Sequence, residues 1–110
     1  MRRDDIALLL ERTRDPRPNV RRAALRELCP CEVRSNVEAV WDRVLEMVDD
    51  PDDRVRSVVL HTLCDGSPGE REGEVVAAVE TMQRDPDVRI RRRARGVIAA
   101  HRRTGRINQL

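Results

Sequence analysis

Four side chains of this sequence are of the types that bind zinc. Cys29 and Cys31 flank a proline, and His61 and Cys64 lie three residues apart in a predicted helix. Three thiolates and one imidazole would suit a tetrahedral zinc ion, and the thiols could also serve redox chemistry. The Cys-x-Cys spacing differs from the common Cys-x-x-Cys pattern, and small thiols often only fill a core. Zinc or thiol-redox chemistry is therefore the minor alternative, and we predict no cofactor.

The remaining polar residues do not form a recognisable catalytic pattern. No serine belongs to a Ser-His-Asp pattern, and the turn at 66–69 lacks the lysine and the strand-to-helix setting of a phosphate-binding loop. Adjacent acids such as Asp52 and Asp53 lie at a turn, where they suit a helix N-terminus. We predict that the protein is not an enzyme.

The composition excludes several classes of protein. The 110 residues include one Trp and no Phe or Tyr, which argues against a nucleic-acid module that stacks bases on aromatic rings. No apolar run approaches the roughly 18 residues of a membrane span. No signal peptide is recognisable, so we expect a cytoplasmic protein with reduced thiols.

A repeat of 35 residues runs through the chain. The Asp-Pro pair at 15–16 recurs at 50–51 and 85–86, with Val-Arg or Ile-Arg five residues after each. Apolar residues recur with helical periodicity on both sides of each Asp-Pro turn, and proline disfavours a helical conformation in the residue before it. The pattern predicts helices at 4–14, 19–29, 36–49, 53–64, 72–84 and 87–103.

The repeats, at about 1–35, 36–70 and 71–110, are expected to form one domain over residues 1–110. A single helix pair cannot bury its apolar stripe alone, whereas three stacked pairs share a core. Trp41 occupies a core position of the repeat. Arg95 occupies the position of Leu25 and Leu60, as expected of a terminal repeat with one face in water.

The N-terminal helix is densely apolar, with Ile6, Leu8, Leu9 and Leu10 close together. These side chains either pack inward or leave an apolar edge suited to a second copy or a partner. A homodimer through this helix follows from the second possibility.

The Asp-Pro turn followed by Val-Arg-x-x-Ala resembles the HEAT-like repeat family in its short bacterial form, which is similar to repeats of phycobilisome-lyase relatives. The resemblance implies an all-α superhelix, a right-handed α-solenoid of three helical hairpins whose second helices line a concave face. It also implies a ladder that links neighbouring repeats through Asp15, Asp50 and Asp85 with Arg21, Arg56 and Arg91. No residue of the chain supports bilin chemistry.

The net charge of +2 is unevenly distributed. Residues 36–87 carry 5 arginines and 14 acids, whereas residues 88–110 carry 8 arginines and no acid. The Arg-rich C-terminal helix either complements the acidic middle of the chain or binds phosphate or an acidic partner.

The side of the second helices opposite their apolar stripe is the expected interaction surface. We predict a non-catalytic protein-protein interaction module, a scaffold or adaptor, that uses this concave face to bind an acidic protein. The alternative is nonspecific nucleic-acid binding through the C-terminal helix. The predicted partner-binding residues are Arg22, Arg26, Ser57, His61, Arg92 and Arg93.

Overall fold

The 35-residue repeat folds as three helical hairpins. The computed structural model describes residues 3–29 and 37–108, and this part of the chain contains six α-helices, two short 3-10 turns and no strand. The helices are α1 (Arg3–Arg12), α2 (Pro18–Leu28), α3 (Glu38–Glu46), α4 (Asp53–Leu63), α5 (Glu72–Met82) and α6 (Val88–Thr104). The predicted all-α class is confirmed.

The third helix differs most from its predicted bounds. The pattern predicted a helix to residue 49, but α3 ends at Glu46 and Met47–Asp49 form a tighter 3-10 turn. The residue before Pro51, Asp50, has an extended ψ of 138°. Because proline disfavours the helical conformation at that residue, the helix has to end before the Asp-Pro turn.

The helices form two layers with the core between them. The second helices of the hairpins, α2, α4 and α6, pack side by side, and the first helices α1, α3 and α5 form the other layer. Val44, Val59 and Val79 are fully buried between the layers, and Trp41 is buried as predicted. The slab measures 39 × 28 × 18 Å.

Two largely buried ion pairs link neighbouring repeats through their Asp-Pro turns. The Nε and Nη2 atoms of Arg21 donate to the two carboxylate oxygens of Asp50 at 2.9 and 3.0 Å. Arg56 binds Asp85 in the same way at 2.8 and 3.1 Å. In each arginine Nη1 also donates to the carbonyl oxygen of its own turn, at Asp15 or Asp50. The hydrogen bonds that the arginines donate to these carboxylates raise the pKa of both arginines. The ladder implied by the resemblance is therefore present at these two links.

The ladder ends differently at its two sides. The carboxylate of Asp15 accepts hydrogen bonds from Nε and Nη2 of Arg17, a residue of its own turn, at 3.0 and 3.1 Å. These bonds lower the pKa of Asp15 to about 2. At the other end Nη1 of Arg91 donates to the carbonyl oxygen of Asp85, and Arg91 meets no carboxylate within the described residues.

Aspartates begin the later second helices, as the sequence predicted. Asp52 accepts hydrogen bonds from the backbone N–H groups of Arg54 and Val55, and Asp87 accepts those of Arg89 and Ile90. In the first repeat Arg17 occupies this position and provides no side-chain cap. Side-chain capping is thus a feature of α4 and α6, which carry most of the surface described below.

The two ends of the slab differ in polarity. Leu25 and Leu60 are fully buried, whereas Arg95 at the same position of the last repeat is exposed. In α1, Ile6 and Leu9 belong to the core and Leu8 is 45% exposed. Most of the apolar surface of α1 therefore packs inward.

The residues after α6 fold back onto the loop between α4 and α5. Gly105 ends α6 in the left-handed conformation, with φ of 73°. Ile107 is buried, and Oδ1 of Asn108 accepts hydrogen bonds from the backbone N–H groups of Gly66 and Ser67. This contact fastens the C-terminal end of the described chain to the second repeat.

Replacing Asp50 by alanine should destabilise the protein by about 2–4 kcal/mol, because it leaves the largely buried guanidinium of Arg21 without its carboxylate. The exposed neighbour Asp49 provides the matched control, and Asp49→Ala should change the free energy of unfolding by about 0.5 kcal/mol or less. Urea denaturation of the three proteins measures both effects. Equal stabilities of the two variants would contradict a structural role for the ladder.

Candidate functional site

An open groove of about 280 Å³ crosses the layer of second helices. It runs over α2, α4 and α6 near their N-terminal ends, where the ladder holds the Asp-Pro turns together. The residues that line it are Arg22, Asp53, Arg54, Ser57, Val58, Asp87, Arg89, Ile90 and Arg93.

The structure brings three of the six predicted partner-binding residues together in this groove, namely Arg22, Ser57 and Arg93. Arg26 lines an adjoining hollow that shares Arg22 with the groove. Arg92 is exposed but does not line the groove, and its neighbour Arg93 takes that place.

His61 lies apart from the groove. Its side chain is 43% exposed, and its Nε2 atom is 3.5 Å from Oδ2 of Asp65. The predicted set of six residues is thus divided between two places on the same layer of helices.

Two acids of the groove were not predicted. Asp53 is the first residue of α4 and Asp87 is the N-cap of α6. Both therefore lie at helix N-termini, and both line the groove. The hydrogen bond from the Ile90 N–H is the largest effect that lowers the pKa of Asp87. The N-terminal acids were identified in the sequence only as capping residues, although a cap can also line a surface. The charged residues that line the groove are therefore four arginines and two aspartates.

Arg22 has unused hydrogen-bonding capacity at this groove. Its Nε atom is buried, and within the described part of the chain it has no hydrogen-bond partner. A buried donor left unpaired costs about 1–3 kcal/mol, so a side-chain rotation that brings the guanidinium to an acceptor of a bound molecule would be favourable. Val58 and Ile90 add apolar surface beside it.

A second cluster lies at the C-terminal ends of α2 and α4. Cys29 is the residue after α2, His61 is in the last turn of α4, and Asp65 follows α4 closely. The Sγ atom of Cys29 is 3.5 Å from Oδ2 of Asp65, the same oxygen that His61 approaches. The three possible ligand atoms all lie within 4.8 Å of one another.

The other thiols of the predicted zinc set do not join this cluster. Cys64 is fully buried, and burial raises the pKa of its thiol to about 11. Cys31 lies outside the described residues. Asp65 takes part instead, and it was not predicted because the expected zinc set contained only thiols and an imidazole.

Most of the exposed arginines of α6 do not pair with described acids of the middle of the chain, although Arg89 lies 3.9 Å from Asp87. Arg92, Arg95, Arg102 and Arg103 are exposed and form no ion pair with any described carboxylate. The contact between this helix and the acids of α5 is made by His101, whose Nε2 is 3.4 Å from Glu72. The positive charge of α6 therefore faces solvent.

Stacked helical hairpins joined by an Asp–Arg ladder define an α-solenoid built from helical repeats. The family model for HEAT repeats matches residues 6–100, and the chain belongs to this family. HEAT repeats commonly act as protein-interaction scaffolds and are typically non-enzymatic. No curated protein and no solved structure matches the chain. Within the described residues no helix is both long and apolar enough to cross a membrane.

Cys64 should resist alkylation in the folded protein. Burial blocks the reagent and raises the pKa of the thiol to about 11, so little thiolate forms at pH 7.5. Iodoacetamide treatment followed by peptide mass mapping should find Cys64 unmodified in buffer and modified in urea. Rapid labelling of this residue in buffer would instead indicate an accessible, reactive thiol.

Proposed function

We propose that the protein is a non-catalytic interaction module, a cytoplasmic scaffold or adaptor, that binds an acidic segment of a partner protein in the groove across α2, α4 and α6. The observation that carries the proposal is the Nε atom of Arg22 at the edge of this groove, which is buried and has no hydrogen-bond partner among the described residues. A carboxylate of the partner would supply the missing acceptor. Arg93 offers a second cation from α6.

The mixed charge of the groove favours a particular kind of segment. Arginine pairs with carboxylates through two parallel hydrogen bonds, which gives both affinity and orientation. Asp53 and Asp87 repel a continuous run of acids, so separated acidic residues fit better. Val58 and Ile90 would contact an apolar side chain between them. The preferred segment therefore alternates acidic with apolar residues, and Arg26 and Arg92 extend the basic surface on either side.

Fluorescence anisotropy with a labelled peptide of alternating Glu and Leu tests this proposal. The double variant Arg22→Glu, Arg93→Glu should bind the peptide roughly tenfold more weakly or worse, since each lost charge-assisted hydrogen bond contributes about 1.5–3 kcal/mol. The matched control is Arg102→Glu, Arg103→Glu, which makes the same change of charge on α6 away from the groove. The affinity of this control variant for the peptide should stay within about twofold of the affinity of the parent protein.

Two results of this experiment would contradict the proposal. One is the absence of measurable peptide binding by the parent protein at low salt. The other is an equal loss of peptide affinity in both double variants, because it would show that the peptide is attracted by net charge alone.

The arginines of α6 that meet no described carboxylate favour nucleic-acid binding as the second candidate function. Arg102 and Arg103 are exposed and lie close together in the last turn of the helix. Labelled duplex DNA and single-stranded RNA in the same assay separate the two functions. Phosphate binding would be lost in the Arg102→Glu, Arg103→Glu variant and would weaken steeply as salt rises.

A homodimer through α1 stays a prediction. Leu8 is the exposed large apolar residue of this helix, and Ala7 beside it is also exposed. Light scattering at several protein concentrations measures the association directly.

A further inference from the structure

We propose that Cys29, His61 and Asp65 bind a zinc ion that joins the first repeat to the second. A thiolate, an imidazole and a carboxylate are the three ligand types that zinc takes from proteins. The combination of sulfur, nitrogen and oxygen donors suits a borderline ion such as Zn²⁺ better than Ca²⁺ or Mg²⁺, which prefer oxygen ligands alone.

Two of the three distances between ligand atoms in the cluster match those of a tetrahedral site. Zinc–ligand bonds of about 2.0–2.3 Å place neighbouring ligand atoms roughly 3.3–3.8 Å apart. The two distances to Oδ2 of Asp65, from Sγ of Cys29 and from Nε2 of His61, are both 3.5 Å. The remaining distance, between the sulfur and the imidazole nitrogen, is within 4.8 Å. A small side-chain rotation would therefore complete the ligand geometry.

The backbone holds all three residues at the ends of helices. The N–H of Cys29 donates to the carbonyl oxygen of Arg26, which continues the end of α2. His61 is part of α4, and the N–H of Asp65 donates to the carbonyl oxygen of Thr62 just after it. Because α2 and α4 belong to different repeats, a bound ion would link them at the end opposite the Asp–Arg ladder.

The cluster is accessible to a metal ion from one side. Cys29 is buried, whereas the side chains of His61 and Asp65 are partly exposed. An ion could enter from solvent past these two residues and keep a water molecule as its fourth ligand. Binding would release the thiol proton of Cys29 to solvent, since zinc takes the thiolate.

The same contacts also permit a simpler arrangement without metal. The Sγ–H group of Cys29 donates to Oδ2 of Asp65, and a protonated Nε2 of His61 can donate to the same oxygen. The two arrangements differ in whether a divalent cation binds tightly and through sulfur. This difference can be measured.

Cobalt(II) is the probe, because its complexes with thiolates absorb in the near ultraviolet and tetrahedral cobalt absorbs strongly in the visible. Titration of the reduced, metal-free protein should give one cobalt per chain with both sets of bands, and Zn²⁺ should displace it. Zinc should also raise the thermal unfolding midpoint, since a ligand that binds only the folded protein stabilises it.

Variants test the ligands one at a time. Cys29→Ser should remove the thiolate band, and both His61→Ala and Asp65→Asn should weaken cobalt binding roughly tenfold or more. His101→Ala is the matched control, because it removes the second histidine of the chain, whose imidazole is near Glu72. Its affinity for cobalt should equal that of the parent.

The proposal would be overturned if the parent protein gave no thiolate–cobalt band. It would also be overturned if the band were lost only in Cys29→Ser while His61→Ala and Asp65→Asn bound cobalt normally, since that pattern indicates adventitious binding to a thiol. If Cys29→Ser failed to fold by circular dichroism, the two variants with partly exposed side chains would still decide the question. None of these residues lines the groove, so the outcome is independent of the proposed function.

Discussion

A largely buried arginine that binds two Asp-Pro turns at once sets the arrangement of the second helices. Arg56 donates to the carbonyl oxygen of its own turn at Asp50 and to both carboxylate oxygens of the next turn at Asp85. Removing such charges from water is costly, and the several hydrogen bonds on each guanidinium offset that cost. An apolar core alone tolerates sliding of one helix along another more readily than this directional pair does. The pair therefore gives the stack its register.

Both candidate sites depend on that register. The groove needs Arg22, Ser57 and Arg93 from three successive second helices, and it lies at the helix ends that the ladder holds. The cluster of Cys29 and Asp65 lies across α2 and α4 at their other ends. Each site is formed by residues of more than one repeat, so neither could exist in an isolated hairpin. The repeat places residues at equivalent positions of successive hairpins, and the residues that differ between the repeats provide the functional side chains of the two sites.

The 35-residue period was sufficient to predict the helices, the capping role of Asp52 and the buried position of Trp41. The period was insufficient to predict which side chains line the two surface sites. Adjacent residues of a helix point about 100° apart, so a small rotation of α6 decides whether Arg92 or Arg93 faces the groove. Asp65 lies outside the helices, where no helical periodicity predicts which way its side chain points. Such details depend on how neighbouring helices pack, which a single sequence does not specify.

A double-mutant cycle on Arg56 and Asp85 tests most directly whether the ladder sets the register. The free energy of unfolding would be measured by urea denaturation for the parent, Arg56→Ala, Asp85→Ala and the double variant. The account predicts that the two substitutions are not additive, with a coupling energy of about 1–3 kcal/mol in favour of the pair. A coupling energy near zero would contradict the account and would show that core packing alone holds the repeats together.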